Sequence, residues 1–192
     1  ELVDYLKKSN IQADIPAYPS IALGACEVSL FEMVQAYTMF PGGGYNAQPF
    51  FINRIEDKNG NVLESFSPQR RKVISELTAY SMVSMMEGVI SKGTGRSMYS
   101  YAVPTQSIAG KTGTTNDNSD LWFMGYTPQL LAGAWVGCDD RYIRFSDNYF
   151  GQGAHASLPI WAYFMSKVAA DPACNLDANA SFERPISMAG DF

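Results

Sequence analysis

The chain has 192 residues, 46% of them apolar, which suffices for one core. Its formal charge of −5 comes without a basic stripe, which excludes nucleic acid as a partner, and no apolar run approaches the roughly 18–20 residues of a membrane-spanning helix. Cys26, Cys138 and Cys174 are odd in number, widely spaced, and form no zinc set with His155, the single histidine, so the sequence calls for no metal and no cofactor.

In chain order, the first predicted element is a helix over Leu2 to Lys8, closed by Ser9-Asn10. Its opening residues, Glu-Leu-Val-Asp-Tyr-Leu-Lys-Lys, do not read as a signal peptide. Ser29 and Glu32 form a capping box that opens a helix to Phe40, stopped by Pro41-Gly42-Gly43-Gly44. Residues 50–57 and 61–66 flank Lys58-Asn59-Gly60, a hairpin signal with Asn59-Gly60 at the turn. Whether this hairpin joins the main sheet is left open by the sequence. Ser75 caps a helix to about Ile90 whose apolar face is read as Leu77, Tyr80, Met82, Val83, Met85, Met86 and Val89. Helical spacing assigns those methionines to core packing and not to a binding surface.

Strands follow near 106–114, 121–127 and 130–138, the last two separated by Pro128-Gln129. Links this short require an antiparallel meander, not crossovers. A helix over 156–170 is expected to pack Leu158, Ile160, Trp161, Phe164 and Val168 on the sheet. The predicted fold class is therefore α/β in the α+β sense, an antiparallel sheet flanked by helices. Cys26 and Cys138 are assigned to the core as small residues, Cys174 to the exposed tail, and His155 to a structural role before the last helix.

The most informative run is Ile108-Ala109-Gly110-Lys111-Thr112-Gly113-Thr114-Thr115-Asn116. Glycine inside a strand marks close approach of another backbone, and an extended peptide pairing with the strand edge is the natural candidate. Thr112 and Thr114 fall on one face and Lys111 on the other, because side chains alternate. Two hydroxyls so placed suit a carboxylate, and Lys111 adds positive charge. Asp120, after this strand, is read as satisfying backbone donors in the turn, and of Trp122 and Phe123 one faces the core.

Lys111-Thr112-Gly113-Thr114 with the continuation Asp120-Leu121-Trp122-Phe123-Met124-Gly125-Tyr126-Thr127-Pro128 resembles the third active-site motif of the penicillin-recognising serine acyltransferases. The closest resemblance is to the transpeptidase domain of class A penicillin-binding proteins. Pro19 to Ser29, Phe31-Glu32-Met33-Val34, Lys92-Gly93-Thr94-Gly95-Arg96 and Leu158-Pro159-Ile160-Trp161 are similar to further segments of that domain. The resemblance spans about residues 15–170. It implies a partial β-lactamase/transpeptidase-like fold, with residues 1–170 the C-terminal part of the transpeptidase domain and 171–192 a tail. It assigns substrate binding to Lys111, Thr112, Gly113 and Thr114, and catalytic roles to Lys111 and Thr114, the Thr114 N–H serving as an oxyanion donor. The implied activity is D-Ala-D-Ala transpeptidation, cross-linking peptidoglycan stem peptides through an acyl-serine, with β-lactams as inhibitors. The implied setting is the outer side of the cytoplasmic membrane, with an N-terminal anchor and an upstream glycosyltransferase domain.

One departure matters. The residues three positions before the seven lysines are Asp4, Tyr5, Ile55, Gln69, Val89, Ile108 and Phe164, so the nucleophile motif S-x-x-K is missing. Ser146-Asp147-Asn148 matches S-x-N by letter, but the family places that motif before K-T-G, and it is read as loop. Both motifs are therefore expected upstream of Glu1, and the chain alone is expected not to acylate. A β-lactamase or carboxypeptidase of the same superfamily, and a non-catalytic β-lactam-sensing or substrate-binding domain, are the competing readings; an upstream Ser-x-x-Lys separates enzyme from sensor. The family's S-x-x-K helix packs on the K-T-G sheet, and several hundred Å² left uncovered would cost on the order of 10 kcal/mol at roughly 25 cal/mol per Å². The chain is thus expected to be marginal alone, to self-associate, or to pair with the rest of its own domain.

Overall fold

The computed structural model describes residues 2–185. Its centre is a three-stranded antiparallel meander of β5 (Ala109–Thr114), β6 (Asp120–Tyr126) and β7 (Leu131–Gly137), in that spatial order. Six residues of β5 pair with β6, from Ala109 opposite Tyr126 to Thr114 opposite Leu121. All seven of β6 pair with β7.

Alternation along β6 sends Leu121 and Phe123 to one face and Met124 and Tyr126 to the other, and all four are buried. Helix α4 (Ser157–Ala170) covers the first face. Trp161 meets Phe123 edge to face at 5.5 Å and donates its indole N–H to the Gly125 carbonyl at 3.0 Å. Ser157 donates to the Leu121 carbonyl at 2.6 Å. On the other face, Val83 and Met86 of α3 (Glu76–Lys92) pack with Ala109 and Tyr126. Helix α2 (Leu30–Tyr37) lies against β7, with Leu30 over Gly133.

The buried stripes differ from the predicted ones. Helix α4 buries Leu158, Trp161, Ala162 and Met165, while Ile160 and Phe164 are half exposed. Helix α3 buries Ala79, Val83, Met86 and Ile90, and leaves Leu77 and Met85 exposed. In both cases two apolar stripes compete at helical spacing, and the one carrying a small residue, Ala79 or Ala162, fits closest to its neighbour.

Helix α1 (Leu2–Lys8) ends as predicted, with Asn10 at φ 64°, and Arg71 donates to the Lys8 carbonyl. The capping box of α2 is present: Ser29 accepts from the Glu32 N–H, and Glu32 accepts from the Ser29 N–H. Glu32 also accepts from the amides of Gln12 and Ala13, tying the preceding segment to the helix. The Ser29 N–H and hydroxyl, ahead of the Gln12 and Ala13 amides, hold its carboxyl below the ordinary range. The helix stops at Tyr37, short of Phe40, because the Gln35 carbonyl is taken by the side chains of Thr38 and Asn46, both at 2.6 Å. Asn46 is buried, and its carbonyl accepts from Asn10 at 2.6 Å.

The early hairpin stands apart from the main sheet. Among the described residues, strands β2 (Arg54–Glu56) and β3 (Val62–Ser65) pair only with each other, and a further pair, β1 (Tyr45–Ala47) with β4 (Arg70–Lys72), was not predicted. Phe31, Phe51, Ile52 and Leu23 are exposed, and Phe31 stacks on Phe51 at 6.4 Å. Cys26 is half-buried against the Ile11, Ile15 and Ala36 cluster, where burial raises its thiol pKa. Cys138 is also only half-buried, because it follows the end of β7, and Cys174 is exposed. Residues 171–185 pack back on the sheet end: Gln106 N–H donates to Ala178, and Phe182 meets Tyr126 at 5.6 Å. The end of the predicted tail, 186–192, lies outside the described residues. Among the described residues no helix is long and apolar enough to cross a membrane.

Candidate active site

Strand β5 is an edge strand. Ala109 and Gly110, at its start, are buried beside α3, and from Lys111 onward the strand opens to solvent. Lys111 is exposed and donates to the Thr112 carbonyl at 2.7 Å. Thr112 and Thr114 share the face of Phe123 and Leu121, their partners across the ladder, while Lys111 shares the face of Met124.

Each hydroxyl has a defined partner. Thr112 Oγ1 lies 2.7 Å from Thr94 Oγ1. Thr114 Oγ1 accepts from the Gly153 N–H at 3.1 Å. Since an amide N–H only donates, the Thr114 hydroxyl keeps its own proton for another acceptor. Gly153 sits so close that a Cβ there would lie 2.3 Å from the Trp122 carbonyl oxygen and 2.5 Å from that of Gly113.

Asp120 is structural, though through different donors than predicted. Its carboxylate accepts from the Trp135 indole at 3.1 Å, from Ser119 Oγ at 2.9 Å and from Thr115 Oγ1 at 3.3 Å, so side chains, not backbone amides, satisfy it. Phe123 is the buried member of its pair; Trp122 is half-buried and lies 6.3 Å from Trp135. Ser146-Asp147-Asn148 lies in the loop after β7. Asp147 accepts from the amides of Tyr149 and Phe150, both at 2.8 Å, and Asn148 accepts from Asn118. His155 stacks on Tyr149 at 4.2 Å, and its Nδ1 lies 2.6 Å from the Tyr149 carbonyl. Both groups are engaged in holding that loop.

The site is a ledge. Two surface depressions, around Pro41, Arg70 and Gln129, have no residue of β5 in their walls. Among the described residues no three His, Cys, Asp or Glu side chains gather as a metal site. Sequence reasoning found all four residues of the strand motif but missed the partners of its hydroxyls. Thr94 had a signal in the two glycines that flank it; Gly153 had none.

Residues 7–136 match the penicillin binding protein transpeptidase domain. The chain belongs to that family. Penicillin-binding protein 1A of Aquifex aeolicus is 36% identical to it over 172 residues, 90% of this chain and 22% of that protein. Penicillin-binding protein 2D of Bacillus subtilis is 38% identical over 197 aligned positions, 99% of this chain and 27% of that protein. The chain thus spans about a quarter of the length of these penicillin-binding proteins. The crystal structure of penicillin-binding protein 1A from Haemophilus influenzae shares the fold, with a TM-score of 0.83 over 96% of this chain and 32% of that one, at 23% identity. The PonA1 protein of Mycobacterium tuberculosis, solved in complex with penicillin V, superposes with a TM-score of 0.71 over 96% of this chain and 52% of that one, at 23% identity.

Proposed function

We propose that this chain supplies the substrate-binding strand of a serine-type D-Ala-D-Ala transpeptidase, which cross-links peptidoglycan stem peptides and is inhibited by β-lactams. The observation that carries this is the open part of β5, where an exposed lysine and two threonine hydroxyls on one face adjoin an unpaired strand edge. An extended peptide can add to such an edge by backbone hydrogen bonds.

Thr112 and Thr114 hold the terminal carboxylate of the stem peptide, or the ring carboxylate of a β-lactam, and Lys111, on the other face of the strand, supplies positive charge near the reacting serine. The attacking serine and its lysine belong to an S-x-x-K segment outside this chain. The serine oxygen adds to the penultimate D-alanine carbonyl, and the Thr114 N–H helps stabilise the resulting oxyanion. Collapse breaks the peptide bond, the serine proton leaves on the terminal D-alanine amine, and an acyl-serine ester remains. The amine of a second stem peptide then displaces the serine. Partners on this reading are stem peptides, β-lactams, the rest of the same domain and an upstream glycosyltransferase domain. The setting is the outer side of the cytoplasmic membrane, with the anchor outside this chain.

Mass spectrometry after incubation with a labelled penicillin tests the reading. This chain alone should gain no adduct, whereas a polypeptide that joins it to its S-x-x-K segment should gain one per chain. In that longer polypeptide Lys111→Ala and Thr112→Val should each slow acylation. A stoichiometric adduct on this chain alone, or acylation indifferent to both substitutions, would sink the proposal.

A further inference from the structure

The Gly93-Thr94-Gly95 turn is a sequence motif that the reading above leaves without a task, and it touches the strand that the reading uses. Both of its glycines pack closely on the end of α3, Gly93 against backbone and Gly95 against the tip of a side chain. A Cβ on Gly93 would lie 2.9 Å from the Val89 Cα and 2.9 Å from its carbonyl oxygen, and one on Gly95 would lie 2.8 Å from Ile90 Cδ1. The amides of Gly93 and Gly95 both donate to the Val89 carbonyl, at 3.1 and 3.0 Å. The turn is thereby fastened to the helix at two points, and Thr94 stands between them, exposed, with its hydroxyl 2.7 Å from that of Thr112.

A hydroxyl pair shares one proton in the contact, and either member can supply it. If Thr112 donates to Thr94, its proton is spent and only lone pairs face a ligand. If Thr94 donates, Thr112 keeps its proton for an anion. Thr114 is already fixed in that second state by the Gly153 amide. An anion in front of both threonines therefore selects the chain Thr94 to Thr112 to carboxylate. The end of α3 carries partial negative charge, but Lys92 in its last turn and Arg96 just beyond it supply two exposed cations.

We propose that Thr94 is a positioning residue, donating its hydroxyl proton to Thr112 so that Thr112 and Thr114 both present protons to the substrate carboxylate. This rests on the reading of β5 as the carboxylate-binding strand. A contact to the carboxylate is equally present before and during the attack on the carbonyl, so its loss falls on binding and not on the acylation step.

The experiment uses the polypeptide that joins this chain to its S-x-x-K segment, and measures the dissociation constant and limiting rate of acylation by benzylpenicillin and by its methyl ester. With the free acid, Thr94→Val should raise the dissociation constant roughly tenfold, the size of one weakened hydrogen bond to a charged group, and leave the limiting rate within about twofold. Thr94→Ser, which keeps the hydroxyl, should restore binding. With the ester, which carries no anion, wild type and Thr94→Val should agree within about twofold. The inference is overturned if Thr94→Val binds the free acid normally, if it loses as much on the ester, or if Thr94→Ser fails to rescue. Those results, with Lys111→Ala and Thr112→Val still impaired, would remove the role of Thr94 alone. Indifference to Lys111→Ala and Thr112→Val would remove the reading of the strand and the role of Thr94 with it.

Discussion

Replacing Gly153 by alanine should loosen the K-T-G strand from the loop that holds its end. The backbone at 153 is not in the left-handed region, so the added methyl meets no conformational penalty and the cost is steric. The new Cβ would lie 2.3 Å from the Trp122 carbonyl oxygen and 2.5 Å from that of Gly113, roughly 1 Å inside ordinary contact. Neither atom can yield easily, because Gly113 and Trp122 face each other across the β5–β6 ladder. Overpacking of this kind costs about 1–3 kcal/mol. If the loop retreats, the Gly153 amide leaves Thr114, which removes a further net ~1 kcal/mol. The expected loss is thus about 2–4 kcal/mol, read as a lower urea midpoint with an unchanged slope. Gly88→Ala is the matched control, since a Cβ at Gly88, inside α3, has nothing within 4 Å. A Gly153→Ala protein within about 0.5 kcal/mol of wild type, the range of ordinary surface changes, would refute the close contact between loop and strand.

Gly88→Ala itself should stabilise by about 0.5–1 kcal/mol, visible as a higher melting temperature, because alanine is the better helix former. Asn46→Ala should cost about 1–3 kcal/mol in urea unfolding, since it strips buried partners from the Gln35 carbonyl and the Asn10 amide. The lowered carboxyl of Glu32 should make stability pH-dependent. Its contribution is full above the unfolded carboxylate value of roughly 4.3 and is lost as pH falls through the lower folded value. An acid titration of the melting temperature should show this loss, and Glu32→Gln should flatten it.

The main sheet and helices were legible because their signals were local. Ser29, Glu32 and Ser75 are side chains whose hydrogen bonds begin helices whatever lies around them, and Pro128-Gln129 breaks two strands by its own geometry. The choice between stripes on α3 and α4 was not local. Ile160 and Phe164 are as apolar as Leu158 and Trp161, and the choice rests on close approach to the sheet, with small Ala162 in the core beside Phe123 and the Trp161 ring against Gly125. The β1–β4 pair was hidden because Arg70-Arg71-Lys72 has no apolar alternation. In the site, the motif strand could be read directly, whereas the Gly153 contact joins residues 39 positions apart. That distance leaves no periodic trace in a sequence.

Strand β6 has a hydrogen-bonded neighbour on each side and buried side chains on both faces, whereas among the described residues β5 has a neighbour on one side only. Amide hydrogen exchange should register that asymmetry. Protons within β6 can leave only when the whole sheet comes apart, so they report the global unfolding free energy. Outward amides of β5 past Gly110 need no such opening and should exchange within the folded state. A peptide laid along that edge would slow these amides first, leaving β6 unchanged until overall stability itself rose.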